Sequence, residues 1–428
     1  MNQAQSEAAG GARPSRQDPW VGVIGKVFAA EKLLLARMLE TLGNPPLQLV
    51  LWDGQEVTSA GPPPVARVLI SDRAAMLKLI ANPELQFGEM YCAGRIDVEG
   101  NLAALLEAIY RALPRNGQGG LGQKLFASFQ EAQRQTLARA RHNVHHHYDI
   151  GNDFYKLWLD EQLVYTCAYF PHPATALGAA QIAKFDRVCR KLRLQAGETV
   201  VEAGCGWGAL ALHMAKHYGV SVKAYNISTE QLAHARRRAR VECLDGKVEF
   251  IEDDYRNLSG KFDAFVSVGM LEHVGTEHYQ ELGAVIDRSV KPGGRGLLHS
   301  IGLNFPRPLD AWIQRHIFPG ACPPSLSQII EILEPYEFSV LDVENLRLHY
   351  AKTLEYWLAR YEGVSEQVAQ MFDQRFVRTW RLYLAGSLAA FRAGNMQLFQ
   401  VLFSRSRDNQ IPWTRDLAKE QPWNPATY

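Results

Sequence analysis

The sequence predicts an α/β fold whose doubly wound, mostly parallel sheet follows a small α+β domain. Three observations support this prediction. Beyond residue 180, short apolar runs such as ETVVEAGCG, FDAFVSVG and GRGLLHSIG alternate with segments of helical periodicity, as in parallel sheets covered by helices. The first of these runs leads into the glycine-rich turn VEAGCGWG. The chain has 428 residues, more than a single ordinary core supports, so we expect two domains.

The composition is that of a folded protein, with 47% hydrophobic and 21% charged residues. Its net charge of +1 excludes a globally basic nucleic-acid-binding protein, so we expect no nucleic-acid partner. The six cysteines are scattered without a CxxC pair, which favours a reducing compartment. Neither a signal peptide nor an apolar stretch of about eighteen residues is recognisable, so we expect a cytoplasmic protein that does not span a bilayer.

The N-terminal part is expected to comprise a disordered tail, residues 1–19, and the small α+β domain, residues 20–112. The domain should begin with a helix that ends at Gly43, because helices commonly end at glycine. Next we expect a hairpin turned at Asp53-Gly54, a strand at ARVLIS and a helix that begins at Ser71.

Residues 113–140 are predicted to form a linker with a basic helix, and residues 141–428 to form the α/β domain. From Arg111 to His147, six Lys and Arg stand against one Glu, a local charge of +5 over 37 residues. This pattern fits either a solvated linker helix or a face that lies against anionic lipid head groups, where each cation contributes about 1 kcal/mol. A second basic cluster could add to this attraction: Arg375, Arg378, Arg381 and Arg392.

The segment VVEAGCGWGALALHMAKHYG is typical of a strand, a tight glycine turn and a helix. Glycines at alternate positions let a ligand approach the backbone at the positive end of the helix, although a plain packing turn is the alternative. A dinucleotide site would require G-x-G-x-x-G and an acidic residue at the end of the second strand, where Asn226 stands instead. Glu202, two residues before Gly204, completes the E/D-x-G-x-G form of S-adenosylmethionine methyltransferases. We therefore favour S-adenosylmethionine over NAD.

Several motifs together resemble the cyclopropane-fatty-acyl-phospholipid synthases and the related mycolic acid cyclopropane synthases. They are HHHYDIGNDFYKLWLDEQLVYTCAYF, VEAGCGWG, VSVGMLEHVG, LLHSIG and LRLHYAKTLEYWLARYE, and the resemblance covers roughly residues 140 to 405. The small N-terminal domain, including GEMYCAGRIDVEG, is similar to the extension of the phospholipid-acting members. The resemblance implies a Rossmann-like S-adenosylmethionine methyltransferase fold with helical additions.

It also implies a reaction. The methyl group of S-adenosylmethionine passes to a cis double bond in a phospholipid acyl chain, and the resulting carbocation loses a proton from the new methyl group as the cyclopropane ring closes. An alkene has no ionisable proton, so the first step depends on alignment, which can contribute about 7–11 kcal/mol, more than the roughly 2 kcal/mol of a cation–π contact. The second step needs a base, which in this family is taken to be bound bicarbonate.

The resemblance assigns two sets of site residues. The bicarbonate site comprises Glu272, His299, the hydroxyl of Tyr350, the backbone N–H of Ile301 and the backbone carbonyl of Cys167. The cofactor site comprises Tyr148, Tyr165 and Thr166 at the methionine end, Glu202, Gly204 and Gly206 at the glycine loop, Asn226 and Gln231 at the ribose, and Asp254 and Tyr255 at the adenine. A carboxylate and a carbonyl suit bicarbonate because this ion also carries a donor O–H.

Four histidines, His142, His145, His146 and His147, precede Tyr148 and raise the question of a metal site. Consecutive residues on a helix point about 100° apart, so only His142 and His146 have the spacing to share an ion. We expect no metal here, and interpret the run as a helix end that leads to the cofactor.

A double bond within an acyl chain implies an unsaturated phospholipid substrate in the membrane and peripheral association with the inner face of the cytoplasmic membrane. Beyond residue 350 the chain is predicted to be mainly helical, up to LFQVLFSR, and its aromatic residues fit either an acyl tunnel or a core: Trp357, Tyr361, Phe372, Phe376, Trp380, Phe391 and Phe399. The N-terminal domain could form a docking surface or a homodimer contact. Alternative functions are a fatty-acyl methyltransferase with a methyl-branched or methylene product, a small-molecule N-methyltransferase and a non-catalytic lipid-binding protein.

Overall fold

The computed structural model describes residues 19–113 and 150–414, with side chains from residue 30 onward. The predictions for the N-terminal tail, most of the basic linker and the histidine run with Tyr148 fall outside the described residues and stay predictions. The described helices do not include one that is both long and apolar enough to cross a bilayer.

The smaller part of the fold is a four-stranded sheet covered by helices. Its helices are α1 (Pro19–Thr41), α2 (Arg73–Ala81), α3 (Pro83–Cys92) and α4 (Leu102–Ala112), and its strands are β1 (Leu47–Val50), β2 (Glu56–Thr58), β3 (Ala66–Ile70) and β4 (Ile96–Gly100). The strand order is β2-β1-β3-β4, in which β1 and β3 are parallel and the other pairs antiparallel. One face buries its own apolar cluster, which includes Leu35, Leu49, Val68 and Met76.

In this part the predicted hairpin is present, and the predicted helix begins two residues later than expected. The hairpin at Asp53-Gly54 is present, with Gln48 opposite Thr58 across its strands. The helix predicted to begin at Ser71 begins at Arg73 instead. Asp72 is its N-cap and accepts a hydrogen bond from the backbone N–H of Ala75, so the preceding serine stays outside the helix.

The larger part is built on a seven-stranded sheet. Its strands are β5 (Thr199–Ala203), β6 (Ser221–Asn226), β7 (Val248–Glu252), β8 (Phe262–Val268), β9 (Val290–Gly302), β10 (Phe338–Asn345) and β11 (Gln397–Arg405). The order is β10-β11-β9-β8-β5-β6-β7, and only β11 runs antiparallel to its neighbours. The chain reverses its direction of strand addition between β5 and β8, which is where a doubly wound sheet opens a crevice for a ligand.

Helices cover both faces of this sheet and extend beyond it. They are α5 (Asn152–Lys156), α6 (Leu177–Lys191), α7 (Ala209–Tyr218), α8 (Thr229–Val241), α9 (Tyr279–Ser289), α10 (Ala311–His316), α11 (Leu326–Leu333), α12 (Arg347–Gly363), α13 (Ser365–Met371) and α14 (Gln374–Ala393). Single 3-10 turns lie at Tyr255–Asn257, Leu271–His273, Thr276–His278 and Glu334–Tyr336. Two apolar clusters fill the two faces of the sheet.

The C-terminal segment differs from the prediction in one element. LFQVLFSR was expected to be helical but forms β11, inserted between β9 and β10, so Phe399 lies on a strand. Because this strand is buried on both faces, its sequence QLFQVLFSR shows no alternation of apolar and polar residues. Of the aromatic residues considered for a tunnel, Trp357, Tyr361 and Trp380 are buried in one apolar cluster, which agrees with the core interpretation.

Arg378 joins the two parts of the fold, although the sequence suggested that it attracts lipid. Its guanidinium donates to the backbone oxygens of Tyr91 at 2.5 Å and Ile96 at 2.8 Å, and it pairs with Asp97 at 3.2 Å. The guanidinium also lies 4.1 Å from the centroid of the Tyr91 ring. All these partners belong to the four-stranded part, so this arginine is a structural clamp.

Two other members of the same basic cluster are also neutralised within the protein. Arg381 pairs with Glu362 at 2.6 Å, and Arg392 pairs with Glu355. Arg375 is exposed. Carboxylates and carbonyls distant in sequence thus occupy three of the four side chains in this cluster, and its attraction to anionic lipid stays a prediction.

Candidate active site

A cavity lies at the carboxyl ends of β5, β6 and β8, and it gathers every described residue predicted for the cofactor. These residues all line it: Tyr165, Thr166, Glu202, Gly204, Gly206, Asn226, Gln231, Asp254 and Tyr255. Parallel strands bring their carboxyl ends to one edge, which explains why residues so far apart in sequence meet there. The tenth predicted residue, Tyr148, is outside the described residues.

The glycine loop between β5 and α7 has left-handed backbone at each of its three glycines, with φ of +84° at Gly204, +53° at Gly206 and +81° at Gly208. A Cβ atom at Gly208 would lie 2.6 Å from the Phe250 ring, and one at Gly204 would lie 2.9 Å from Cβ of Met270. Gly206 has no heavy atom within 4 Å of such a position. Two glycines thus permit close packing, while the middle one leaves the cavity open.

Glu202, at the end of β5, is 2% exposed, and its Oε2 atom has no hydrogen-bond partner among the described residues. Burial raises the pKa of this carboxyl to about 8, and the charge of Lys184 opposes the rise only in part. A buried acceptor without a partner costs free energy, and a cationic ligand group would remove this cost. The α-ammonium group of S-adenosylmethionine fits that requirement.

The side chains after β6 and β7 are tied to one another. Asn226 donates from Nδ2 to the backbone oxygen of Gly206 at 3.1 Å and to Oε1 of Gln231 at 2.8 Å. Asp254 forms an ion pair with Arg256 at 2.8 Å, and Arg256 also lies 5.4 Å from the centroid of the Tyr255 ring. Asn226 therefore holds the glycine loop, and Arg256 is a cavity residue that the sequence did not single out.

Glu272 occupies a second buried polar site. It is 5% exposed, its Oε2 accepts from the Ser300 hydroxyl at 2.9 Å, and its Oε1 accepts from the backbone N–H of Ile301 at 3.3 Å. Burial raises the pKa of the carboxyl to about 7, despite these two bonds that favour ionisation. Of the predicted anion-site residues, Glu272 and Ile301 are thus in direct contact. Ser300 was not predicted.

His299 lies on β9 two residues before Ile301, so both side chains point to the same face of the sheet. The ring is 2% exposed, its Nδ1 faces the Nε2 amide of Gln400 at 3.1 Å, and its Nε2 has no partner among the described residues. Burial lowers its pKa to about 3, so the ring is neutral. With Nδ1 accepting from the amide, Nε2 carries the proton and is a buried donor for an anion.

Tyr350 and Cys167 approach this region from two other elements. Tyr350 lies in the first turn of α12 and is 7% exposed; Cys167 is 1% exposed, and both belong with Ile301 to one apolar cluster. The backbone N–H of Ala168 donates to the Thr353 hydroxyl at 3.0 Å, which fastens the Cys167 segment to the helix of Tyr350. Burial raises the pKa of the Cys167 thiol, so it is a neutral wall residue.

An aromatic wall connects the two polar sites. The ring of Tyr165, which lines the cofactor cavity, lies 5.3 Å from the Trp357 ring, and Trp357 lies 5.9 Å from Tyr350 on the other side. Trp158 contacts both Tyr165 and Trp357, at 5.4 and 5.7 Å. The sequence pointed to Trp357 only as one aromatic residue among seven. The Trp357 indole thus contacts one residue assigned to the cofactor, Tyr165, and one assigned to the anion, Tyr350.

The chain is similar to known protein families and to characterised proteins. The model of the family described as mycolic acid cyclopropane synthetase matches residues 135–401, and one described as a domain of unknown function matches residues 34–114. A probable fatty acid methyltransferase of Pseudomonas putida is 35% identical over 386 residues, 87% of this chain and 95% of the relative. The cyclopropane-fatty-acyl-phospholipid synthase of Escherichia coli K12 is 43% identical over 270 residues, 62% of this chain and 68% of the relative.

Two further matches come from Mycobacterium tuberculosis. The tuberculostearic acid methyltransferase UfaA1 is 34% identical over 408 residues, 90% of this chain and 94% of the relative. The crystal structure of the mycolic acid cyclopropane synthase CmaA1 complexed with SAH and CTAB has a TM-score of 0.59 and 31% identity, and the match covers 61% of this chain and 97% of that one. The chain thus belongs to the mycolic acid cyclopropane synthetase family and is a methyltransferase with the S-adenosylmethionine-dependent fold of that family.

Proposed function

We propose that this enzyme adds a methylene group from S-adenosylmethionine to the cis double bond of an unsaturated phospholipid acyl chain and so forms a cyclopropane ring. One observation carries the proposal. The buried Nε2 of His299 has no partner among the described residues, and His299 precedes by two positions the residue whose backbone N–H donates to Glu272, while Trp357 contacts both Tyr350 and Tyr165, a residue of the cofactor cavity. This arrangement supports a buried anion beside a methyl donor.

The cofactor cavity would align the methyl group and the alkene. S-Adenosylmethionine supplies an electrophilic methyl group when bound. Its amino-acid end would meet the Glu202 carboxyl, and Tyr165 would face the sulfonium end from the aromatic wall. Alignment of this kind can contribute about 7–11 kcal/mol, whereas the attraction of one desolvated cation to an aromatic ring contributes about 2 kcal/mol. We therefore assign the wall mainly to excluding water and orienting the chain.

The second polar site would remove the proton that ring closure releases. Bicarbonate supplies a proton acceptor when bound. The neutral His299 ring would donate from Nε2, Tyr350 would donate its hydroxyl, and Glu272 would take up the O–H of the anion. The raised pKa of Glu272, about 7, lets this carboxyl share a proton with a neighbouring anion near neutral pH, instead of repelling it as a fixed charge.

The membrane part of the proposal concerns where the lipid meets the protein. Phe305, at 50%, and Leu348, at 63%, are among the exposed large apolar side chains of the described residues, and the Arg307 guanidinium lies 5.8 Å from the centroid of the Phe305 ring. Phe305 lies four positions after Ile301, and Leu348 lies two positions before Tyr350; Ile301 and Tyr350 both belong to the proposed anion site. We propose that the protein binds peripherally to the inner face of the cytoplasmic membrane through this surface and the basic segment. The N-terminal domain would form either a further docking surface or a homodimer contact.

A second function has specific support. The relatives that match most of this chain include a probable fatty acid methyltransferase and a tuberculostearic acid methyltransferase. In that case the cation would undergo a hydride shift and then lose a proton, and the product would carry a methylene branch, or a methyl branch on a retained double bond, in place of a ring. Both outcomes use the same cofactor cavity, so the position of the proton acceptor relative to the cation decides between them.

The test is an assay of the purified protein with vesicles of unsaturated phospholipid and S-adenosylmethionine labelled in its methyl group. Ring formation predicts lipid that gains one methylene unit and shows the upfield proton NMR signal of a cyclopropane methylene. An olefinic methylene signal, or a methyl branch on a retained double bond, would establish the second function instead. Label transferred to soluble amines, and none to lipid, would refute both and support a small-molecule N-methyltransferase.

A further inference from the structure

A buried lysine that the proposed chemistry does not use faces the cofactor cavity. Lys184, on α6, is 2% exposed and lines the same cavity as Glu202 and Thr166. Its ammonium donates to the Thr166 hydroxyl oxygen at 2.9 Å. An ammonium group has three N–H donors, and a hydroxyl oxygen is a neutral acceptor, so this contact alone does not balance the charge.

Lys191, seven residues later on the same helix, has the carboxylate partners that Lys184 lacks among the described residues. The Lys191 side chain is also 2% exposed, but its ammonium pairs with Glu344 at 2.8 Å and Asp342 at 3.2 Å. Among the described residues Lys184 has no ion pair with any carboxylate. Burial lowers its pKa only to about 8, so it is mainly charged at neutral pH. A buried charge without a counter-ion is costly, and a bound anionic group removes the cost.

We propose that Lys184 binds the carboxylate at the amino-acid end of the cofactor and positions Thr166 beside it. The inference rests on the proposed use of S-adenosylmethionine and adds the residue that recognises its carboxylate. This end of the cofactor is zwitterionic. Glu202 offers an acceptor without a partner for the ammonium group, and Lys184 offers donors for the carboxylate, while no ion pair between the two side chains closes the space.

Two residues of α6 hold Thr166, one through its backbone oxygen and one through its hydroxyl. Gln181 donates from Nε2 to the backbone oxygen of Thr166 at 2.9 Å, and Lys184 donates to its hydroxyl at 2.9 Å. The two donors are three residues apart and so lie on one face of the helix. Because the hydroxyl oxygen accepts from Lys184, its own proton is left to donate, and the same carboxylate is the acceptor that the cavity would then contain.

The experiment measures binding of two ligands by calorimetry, without lipid. One is S-adenosylhomocysteine, and the other is its decarboxylated analogue, which keeps the amine and lacks the carboxylate. Lys184→Met should weaken S-adenosylhomocysteine roughly 10- to 100-fold, as expected for a lost hydrogen bond to a charged group, and should change the analogue by less than about threefold. Lys184→Gln provides the same comparison if the Met variant does not fold.

Lys191→Met is the matched control, because it removes a lysine of equal burial from the same helix outside the cavity. It should leave the ratio of the two affinities as in the parent protein. Equal weakening of both ligands by Lys184→Met would overturn the proposal in favour of a purely structural lysine, and unchanged binding of both would overturn it outright. If the parent protein bound neither ligand, the cofactor assignment itself would be refuted.

Discussion

Replacing Glu272 with glutamine should abolish most turnover and yet stabilise the protein in alkaline solution. Burial raises the pKa of this carboxyl from 4.5 to about 7 in the folded state. Ionising it therefore costs the native structure a free energy that the unfolded chain does not pay. The difference between these two pKa values corresponds to about 3 kcal/mol, since one pKa unit is about 1.4 kcal/mol.

The direction in which the free energy of unfolding changes with pH follows from proton binding. Between pH 4.5 and about 7 the folded protein holds a proton that the unfolded chain has lost, so the free energy of unfolding falls as the pH rises through this window. Glutamine cannot ionise. It keeps an acceptor for the hydroxyl of Ser300 or the amide of Ile301 but not both, a loss of about 1 kcal/mol at every pH. The variant should be more stable than the parent by about 2 kcal/mol above pH 8 and slightly less stable below pH 5.

Urea unfolding of both proteins at about pH 5 and about pH 8 measures this difference. The same samples should show unchanged affinity for S-adenosylhomocysteine and a turnover of labelled lipid lower by about 10² to 10³. Glu344→Gln is the control, because the hydrogen bond from Arg187 and the charge of Lys191 outweigh burial and lower its pKa, so its removal should destabilise the protein at pH 8. A stability difference between Glu272→Gln and the parent that does not vary with pH would refute the reasoning.

Three further predictions follow from other contacts. Gly208→Ala should lower the free energy of unfolding by about 2 kcal/mol or more, because φ is +81° and the new methyl group would meet a phenylalanine ring; Gly246→Ala, with open space, should be neutral in the same thermal melt. Arg378→Leu should speed hydrogen exchange in the four-stranded part, whereas the exposed Arg375→Leu should not. His299→Leu should raise the bicarbonate concentration needed for half-maximal turnover without changing S-adenosylhomocysteine affinity, and turnover that ignores added bicarbonate would refute the anion site.

The parallel half of the large sheet was predictable because its strands are apolar runs bounded by helices. The glycine loop was predictable for a related reason, since only residues without a side chain tolerate the backbone at Gly204 and Gly208. β11 was not, because a strand buried on both faces has the same apolar sequence as a buried helix. β11 can be recognised as a strand only from its pairing with β9 and β10, and the local sequence does not reveal this pairing.

The other features that the sequence did not predict depend on contacts between residues that are distant in sequence. Arg378 looked like a free cation because its acceptors lie more than 280 residues earlier in the chain. Lys184 looked like an ordinary helical lysine because nothing local indicates that its helix packs against the cofactor cavity. The contacts of Ser300 with Glu272 and of Gln400 with His299 depend on the elements packed around β9, so the sequence alone does not reveal them.

The position of β11 has a consequence for how the enzyme matures during synthesis. Except for Pro319, the residues that line the cavity are all translated before residue 275, whereas the Gln400 amide that faces the His299 imidazole belongs to a strand translated more than a hundred residues later. Most of the cavity lining is therefore synthesised well before the strand that carries Gln400. We expect the polar contact of His299 to form only after β11 has paired between β9 and β10.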